Sequence, residues 1–89
     1  MAETFQFDLV SPESLLLSAE VEQVVVPGSE GQFTVLPRHA PFMSTLRDGD
    51  LAIYRTPGGQ PEKVRVTGGF AEVSDKGLTV LAESAGETA

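Results

Sequence analysis

Apolar and polar residues alternate one by one along much of this chain, and a period of two is the signature of strands with one wet face. Phe5, Phe7 and Leu9 alternate with Thr4, Gln6 and Asp8, and Phe33 and Val35 with Gln32 and Thr34. Leu51 and Ile53 alternate with Asp50 and Ala52, Val64 and Val66 flank Arg65, and Leu78, Val80 and Ala82 alternate with Thr79, Leu81 and Glu83. Val21 to Val26 is denser and reads as a strand buried on both sides or bent by a bulge. Between the runs stand Pro27-Gly28, Asp48-Gly49, Pro57-Gly58-Gly59, Gly68-Gly69 and Asp75-Lys76-Gly77. From Asp48 onward these breaks recur at roughly the 8–12 residue spacing of an all-β sandwich or barrel. Strands this short cannot bury a face alone, so two sheets must pack on each other. The expected fold is an all-β sandwich of two packed antiparallel sheets.

One segment is ambiguous between helix and strand. Ser11 and Pro12 would suit the cap and first position of a helix running into Leu15, Leu16 and Leu17. Ser18-Ala19-Glu20 offers no helical continuation, so a turn and a short strand are expected instead. Residues 1–84 form one domain in this reading, and the small polar tail 85–89 is expected to fray.

At 89 residues the chain is large enough for a single core and too small for two. It has no cysteine, which excludes disulfides, thiol nucleophiles and zinc–thiolate sites. The net charge of −7 argues against nucleic acid, whose binding rests on cationic side chains. Glu3, Asp8, Glu13, Glu20, Glu22 and Glu30 all precede the first basic residue, Arg38. That asymmetry fits either ordinary solvated acids or an acidic face for a basic partner. No basic, apolar leader opens the sequence, and no apolar run nears the ~20 residues of a membrane span.

Catalytic chemistry finds little support. His39 is the only histidine, so a two-histidine metal site is impossible, and no nucleophile elbow is present. The glycines around Ser29 and Glu30 do not make a phosphate loop, which wants a lysine and a following helix. No catalytic, cofactor-binding or metal-ligating residue is expected. The stretch from Val24 to Pro41 reads instead as a stiff hairpin holding a polar loop out for another molecule. Phe42 and Met43, just after Pro41, fit either an apolar contact patch or the core. A free-standing β-sandwich module for a carbohydrate or peptide is the alternative, although five Phe, one Tyr and no Trp are a meagre supply for sugar stacking.

The same residues carry a family resemblance. Pro-Gly-Ser-Glu-Gly at 27–31, Leu-Pro-Arg-His-Ala-Pro at 36–41, Gly-Gly-Phe-Ala-Glu-Val at 68–73 and Thr-Val-Leu-Ala-Glu-Ser-Ala at 79–85 occur in order. From Phe7 to about Ala85 the chain resembles the N-terminal domain of the epsilon subunit of bacterial F-type ATP synthase. The resemblance implies a β-sandwich and a non-catalytic rotor component. It implies packing on the gamma subunit of the central stalk and standing on the ring of c subunits, at the cytoplasmic face of the inner membrane. Membrane association would come only through the complex, and the isolated domain is expected to be monomeric. On this resemblance Ser29, Glu30, Gly31 and Gln32, with Arg38 and His39 nearby, face the c ring. Phe42, Met43 and Phe70 belong to the gamma surface. Two departures stand out: Arg38 and Thr34 replace glycines usual in the family. Many members also continue into a C-terminal helical hairpin that restrains hydrolysis; the 89 residues here stop short of it, so inhibition by that route is not expected of them.

Overall fold

In the computed structural model, which describes residues 3–56 and 58–87, ten strands build two five-stranded sheets. The strands are β1 (Phe5–Val10), β2 (Leu15–Val21), β3 (Gln23–Gly28), β4 (Gly31–Val35) and β5 (Phe42–Thr45). They continue as β6 (Gly49–Tyr54), β7 (Glu62–Thr67), β8 (Phe70–Ser74), β9 (Gly77–Leu81) and β10 (Ser84–Glu87). Sheet A has the order β2-β1-β9-β8-β5 and sheet B the order β10-β7-β6-β3-β4. Neighbours run antiparallel except β1 and β9, which are parallel, so sheet A is mixed. The chain belongs to the all-β sandwich class that its alternation indicates.

The alternating apolar positions point inward. Phe7 and Leu9 of β1, Leu51 and Ile53 of β6, and Leu78 and Val80 of β9 are buried, together with Val24, Val26, Val35 and Val66. Among the described residues no polar or charged side chain is buried, so hydrophobic contact alone fills the space between the sheets. The dense run Val21–Val26 has a simple cause. Val21 ends β2 in sheet A, Gln23 starts β3 in sheet B, and Glu22 lies at the bend between them. There the Glu22 N–H donates to the Tyr54 carbonyl at 2.8 Å. Val21 faces the common core from sheet A, and Val24 and Val26 face it from sheet B.

Ser11 to Ser14 form a closed turn, not a helix. The Ser11 and Ser14 backbones bond reciprocally, at 2.8 and 3.3 Å, and the Ser14 N–H also lies 3.2 Å from Ser11 Oγ. Beyond it, β2 pairs with β1 through a bulge, where Leu15 opposes Val10 and Leu17 opposes Leu9.

The tail departs from expectation. Residues 85–87, expected to fray, lie in β10, whose partners run from Ser84↔Thr67 to Glu87↔Val64. Small polar side chains gave no alternation to detect, but edge pairing needs only backbone groups. Thr88 and Ala89 fall outside the described residues.

Candidate protein-docking interface

The β3–β4 turn holds the first group of candidates. Gly28 pairs with Gly31 across Ser29 and Glu30, both exposed, and Gly31 takes a φ of 138° that favours glycine. The Ser29 N–H donates to the Thr45 carbonyl at 2.9 Å, and Ser29 Oγ lies 2.6 Å from Thr45 Oγ1. Those bonds tie the turn to the end of β5, so Glu30 is presented from a braced support.

Arg38 and His39 do not sit beside it. The five extended residues of β4 separate them from Glu30, at roughly 3.3 Å per residue. They lie at the far end, where Arg38 Nε meets Glu3 Oε2 at 3.0 Å and both line a cleft with Ser74 to Gly77. The expected six-residue cluster is therefore two clusters, because a strand and not a loop connects them. At this second site the His39 N–H donates to the Leu36 carbonyl at 3.2 Å, with Pro37 and Arg38 between. Arg38 has φ 66°, so the four residues follow the type II pattern: proline second, a left-handed residue third. The turn keeps this form with an arginine at the left-handed position, so Arg38 carries the positive φ itself.

Register separates the apolar candidates as well. Directly paired residues share a face of a sheet. Phe42 opposes the buried Val73, so it turns toward sheet B, where its ring meets Phe33 edge-on with centroids 5.1 Å apart. There it closes the edge between β5 and β4 while remaining 47% exposed, and the His39 ring stands 6.3 Å away. Met43 opposes Glu72 and looks outward, on the same outer face as Phe70.

That outer face of sheet A has an organisation no single strand reveals. Leu15 opposes Val10, Val10 opposes Leu81, Leu81 opposes Phe70, and Phe70 opposes Thr45. The result is one apolar row crossing β2, β1, β9 and β8, about 14 Å long at ~4.8 Å per strand, with Thr45 of β5 beyond its end. Leu15 is 59% exposed and Leu16, at the adjoining bulge, 46%. The next row, Ser18, Asp8, Thr79 and Glu72, is polar and acidic and ends on the apolar Met43. Within it Ser18 Oγ donates to Asp8 Oδ1 at 2.7 Å, and Gln6 Nε2 donates to the same oxygen at 2.9 Å. None of the five strands of sheet A contains Lys or Arg. Lys63 and Arg65 instead stand on β7 of sheet B, with Arg65 3.8 Å from Asp50. An apolar row beside fixed acids, without neutralising bases, suits a partner presenting an apolar stripe edged with cations.

Residues 4–88 match the family model described as the ATP synthase delta/epsilon chain beta-sandwich domain. The chain belongs to the delta/epsilon family of ATP synthase subunits. It is 58% identical over 82 residues to an ATP synthase epsilon chain of Bradyrhizobium sp. (strain ORS 278) and 60% identical to an epsilon chain of Rhodopseudomonas palustris (strain BisB18). Each alignment covers 92% of this chain and 59% of the relative, so the chain spans a little over half the length of these epsilon chains. Among solved structures, the mitochondrial ATP synthase of Euglena gracilis (OSCP, F1 and c-ring) contains a chain with TM-score 0.82 and 25% identity. That match covers 92% of this chain and 52% of the other. The central stalk and c-ring of Tetrahymena thermophila ATP synthase gives TM-score 0.79 at 14% identity, over 96% and 67%, and supports the fold alone.

Proposed function

We propose that this chain is a rotor subunit of an F-type ATP synthase, linking the gamma subunit to the c ring and supporting the coupling of proton flow to ATP synthesis. It is non-catalytic, sits at the cytoplasmic face of the bacterial inner membrane through the complex, and is monomeric when isolated. Beyond family membership, the observation that carries this reading is the apolar row Leu15, Val10, Leu81 and Phe70 beside the acids Asp8 and Glu72. A shaft that must turn without slipping needs an extensive, fixed contact, and a flat sheet face supplies one more rigidly than a loop does. Gamma is assigned to this outer face of sheet A, with Phe70 and Met43 inside the contact and Phe42 at its rim. The c ring is assigned to the braced turn Ser29, Glu30, Gly31 and Gln32. Arg38 and His39 lie at the other end of β4 and are left out of that contact.

The test is reconstitution. Synthase depleted of its own epsilon subunit is recombined with this chain, and ATP-driven proton pumping is measured in vesicles. Restored pumping is expected. Failure of the chain to bind the depleted complex would contradict the assignment.

A further inference from the structure

We infer that Arg38 is a recognition residue whose guanidinium engages a carboxylate on the synthase subunit covering the β4–β5 edge, an inference that rests on the synthase reading above. It begins from a mismatch between a residue and its backbone. The third place of the Leu36–His39 turn demands the left-handed region, and Arg38 occupies it with φ 66°. Glycine or asparagine meets that demand with less strain, so the turn itself gives arginine no advantage.

Nor does the rest of the chain offset the strain. The Arg38 side chain is 81% exposed and contributes no core packing. Its ion pair joins it to Glu3, itself more than half exposed, and such pairs are weakened by solvent screening. A strained backbone without an internal return marks a site that acts on something outside the chain. The surroundings say what kind. Leu36, two residues before Arg38, and Phe42, whose ring stands 6.3 Å from that of His39, are both exposed, and arginine among apolar residues is the composition of protein interfaces. A guanidinium has five donors, and one carboxylate engages at most part of that fork, so a second can be accepted. Glu3, Glu20 and Asp75 line the adjoining cleft and outnumber Lys76, the one other Lys or Arg there, and the chain carries a net charge of −7. Those acids disfavour an anionic bilayer or a doubly charged phosphate, and a single carboxylate on a protein meets least repulsion.

The experiment compares the chain with Arg38→Gly and Arg38→Lys. Each is titrated into synthase depleted of its epsilon subunit, at low and high salt, and thermal unfolding of the free chain is recorded. Arg38→Gly should unfold at a temperature no lower than the parent yet bind about tenfold more weakly, with the deficit shrinking as salt rises. Arg38→Lys should fall between. Parent and Arg38→Gly binding equally tightly would overturn the inference and leave the synthase reading intact. No binding by the parent would overturn both. Phosphatidylglycerol vesicles are the second arm: retention of the parent but not of Arg38→Gly, with equal synthase affinities, would transfer Arg38 to a lipid phosphate and overturn the carboxylate.

Discussion

Replacing Leu15 by serine separates docking from folding, because this residue leads the apolar row and stands on an edge strand. Burying a whole leucine side chain contributes about 1.5–3 kcal/mol. Leu15 is 59% exposed in the free chain. Roughly 1–2 kcal/mol therefore remains to be gained when a partner covers it. Leu15→Ser should weaken binding to epsilon-depleted synthase by about 5–30-fold. The same change should cost the fold only about 0.5–1.2 kcal/mol, the share of the side chain already covered in the free chain. A fall of no more than about 10 °C in Tm follows for a domain of this size. Titration of a labelled chain, paired with thermal unfolding, reads both quantities. Lys63→Ser, on the outer face of sheet B, serves as the control and should leave affinity unchanged. Equal affinity for Leu15→Ser and the parent would refute the placement of this row in an interface, and a large fall in Tm would refute its description as solvent-facing.

Three further outcomes test the rest of the structure. Gly77→Ala should cost about 2–4 kcal/mol and lower Tm by at least about 10 °C, because a Cβ there runs into the Gln6 carbonyl of β1 while φ is 132°; an unchanged melt would contradict the parallel β1–β9 contact. Leu51→Ala empties a fully buried site between the sheets and should cost about 2–5 kcal/mol in urea unfolding, with near-parental stability contradicting its place in the core. Glu30→Lys should impair ATP-driven proton pumping in reconstituted synthase while leaving the melt unchanged, since Glu30 is exposed on a braced turn; full pumping would remove Glu30 from the mechanism.

The strands that were legible in the sequence are those with one wet face. Phe5–Val10, Leu51 with Ile53, and Leu78 with Val80 alternate because each inward residue has an outward neighbour. Phe42–Thr45 and Ser84–Glu87 did not announce themselves, as edge strands held chiefly through backbone pairing on one side. The site was half legible. Ser29 and Glu30 could be read as a presented turn because Gly28 and Gly31 bracket them, whereas the apolar row could not. Leu15, Val10, Leu81 and Phe70 come from four strands, and only the pairing register brings them into line. The distance between Glu30 and Arg38 was hidden for the opposite reason. Eight positions apart along the sequence looks close, yet a strand stretches the intervening residues to nearly full extension.

The chain contains no cysteine, so single-cysteine labelling reports each face without background. Thr79→Cys marks the middle of the outer face of sheet A, and Thr34→Cys the outer face of sheet B, both at exposed positions. Maleimide labelling rates should be alike in the two free variants. On assembly into synthase, the Thr79 position should become strongly protected while the Thr34 position stays reactive. Protection at Thr34 with Thr79 still open would contradict docking through sheet A.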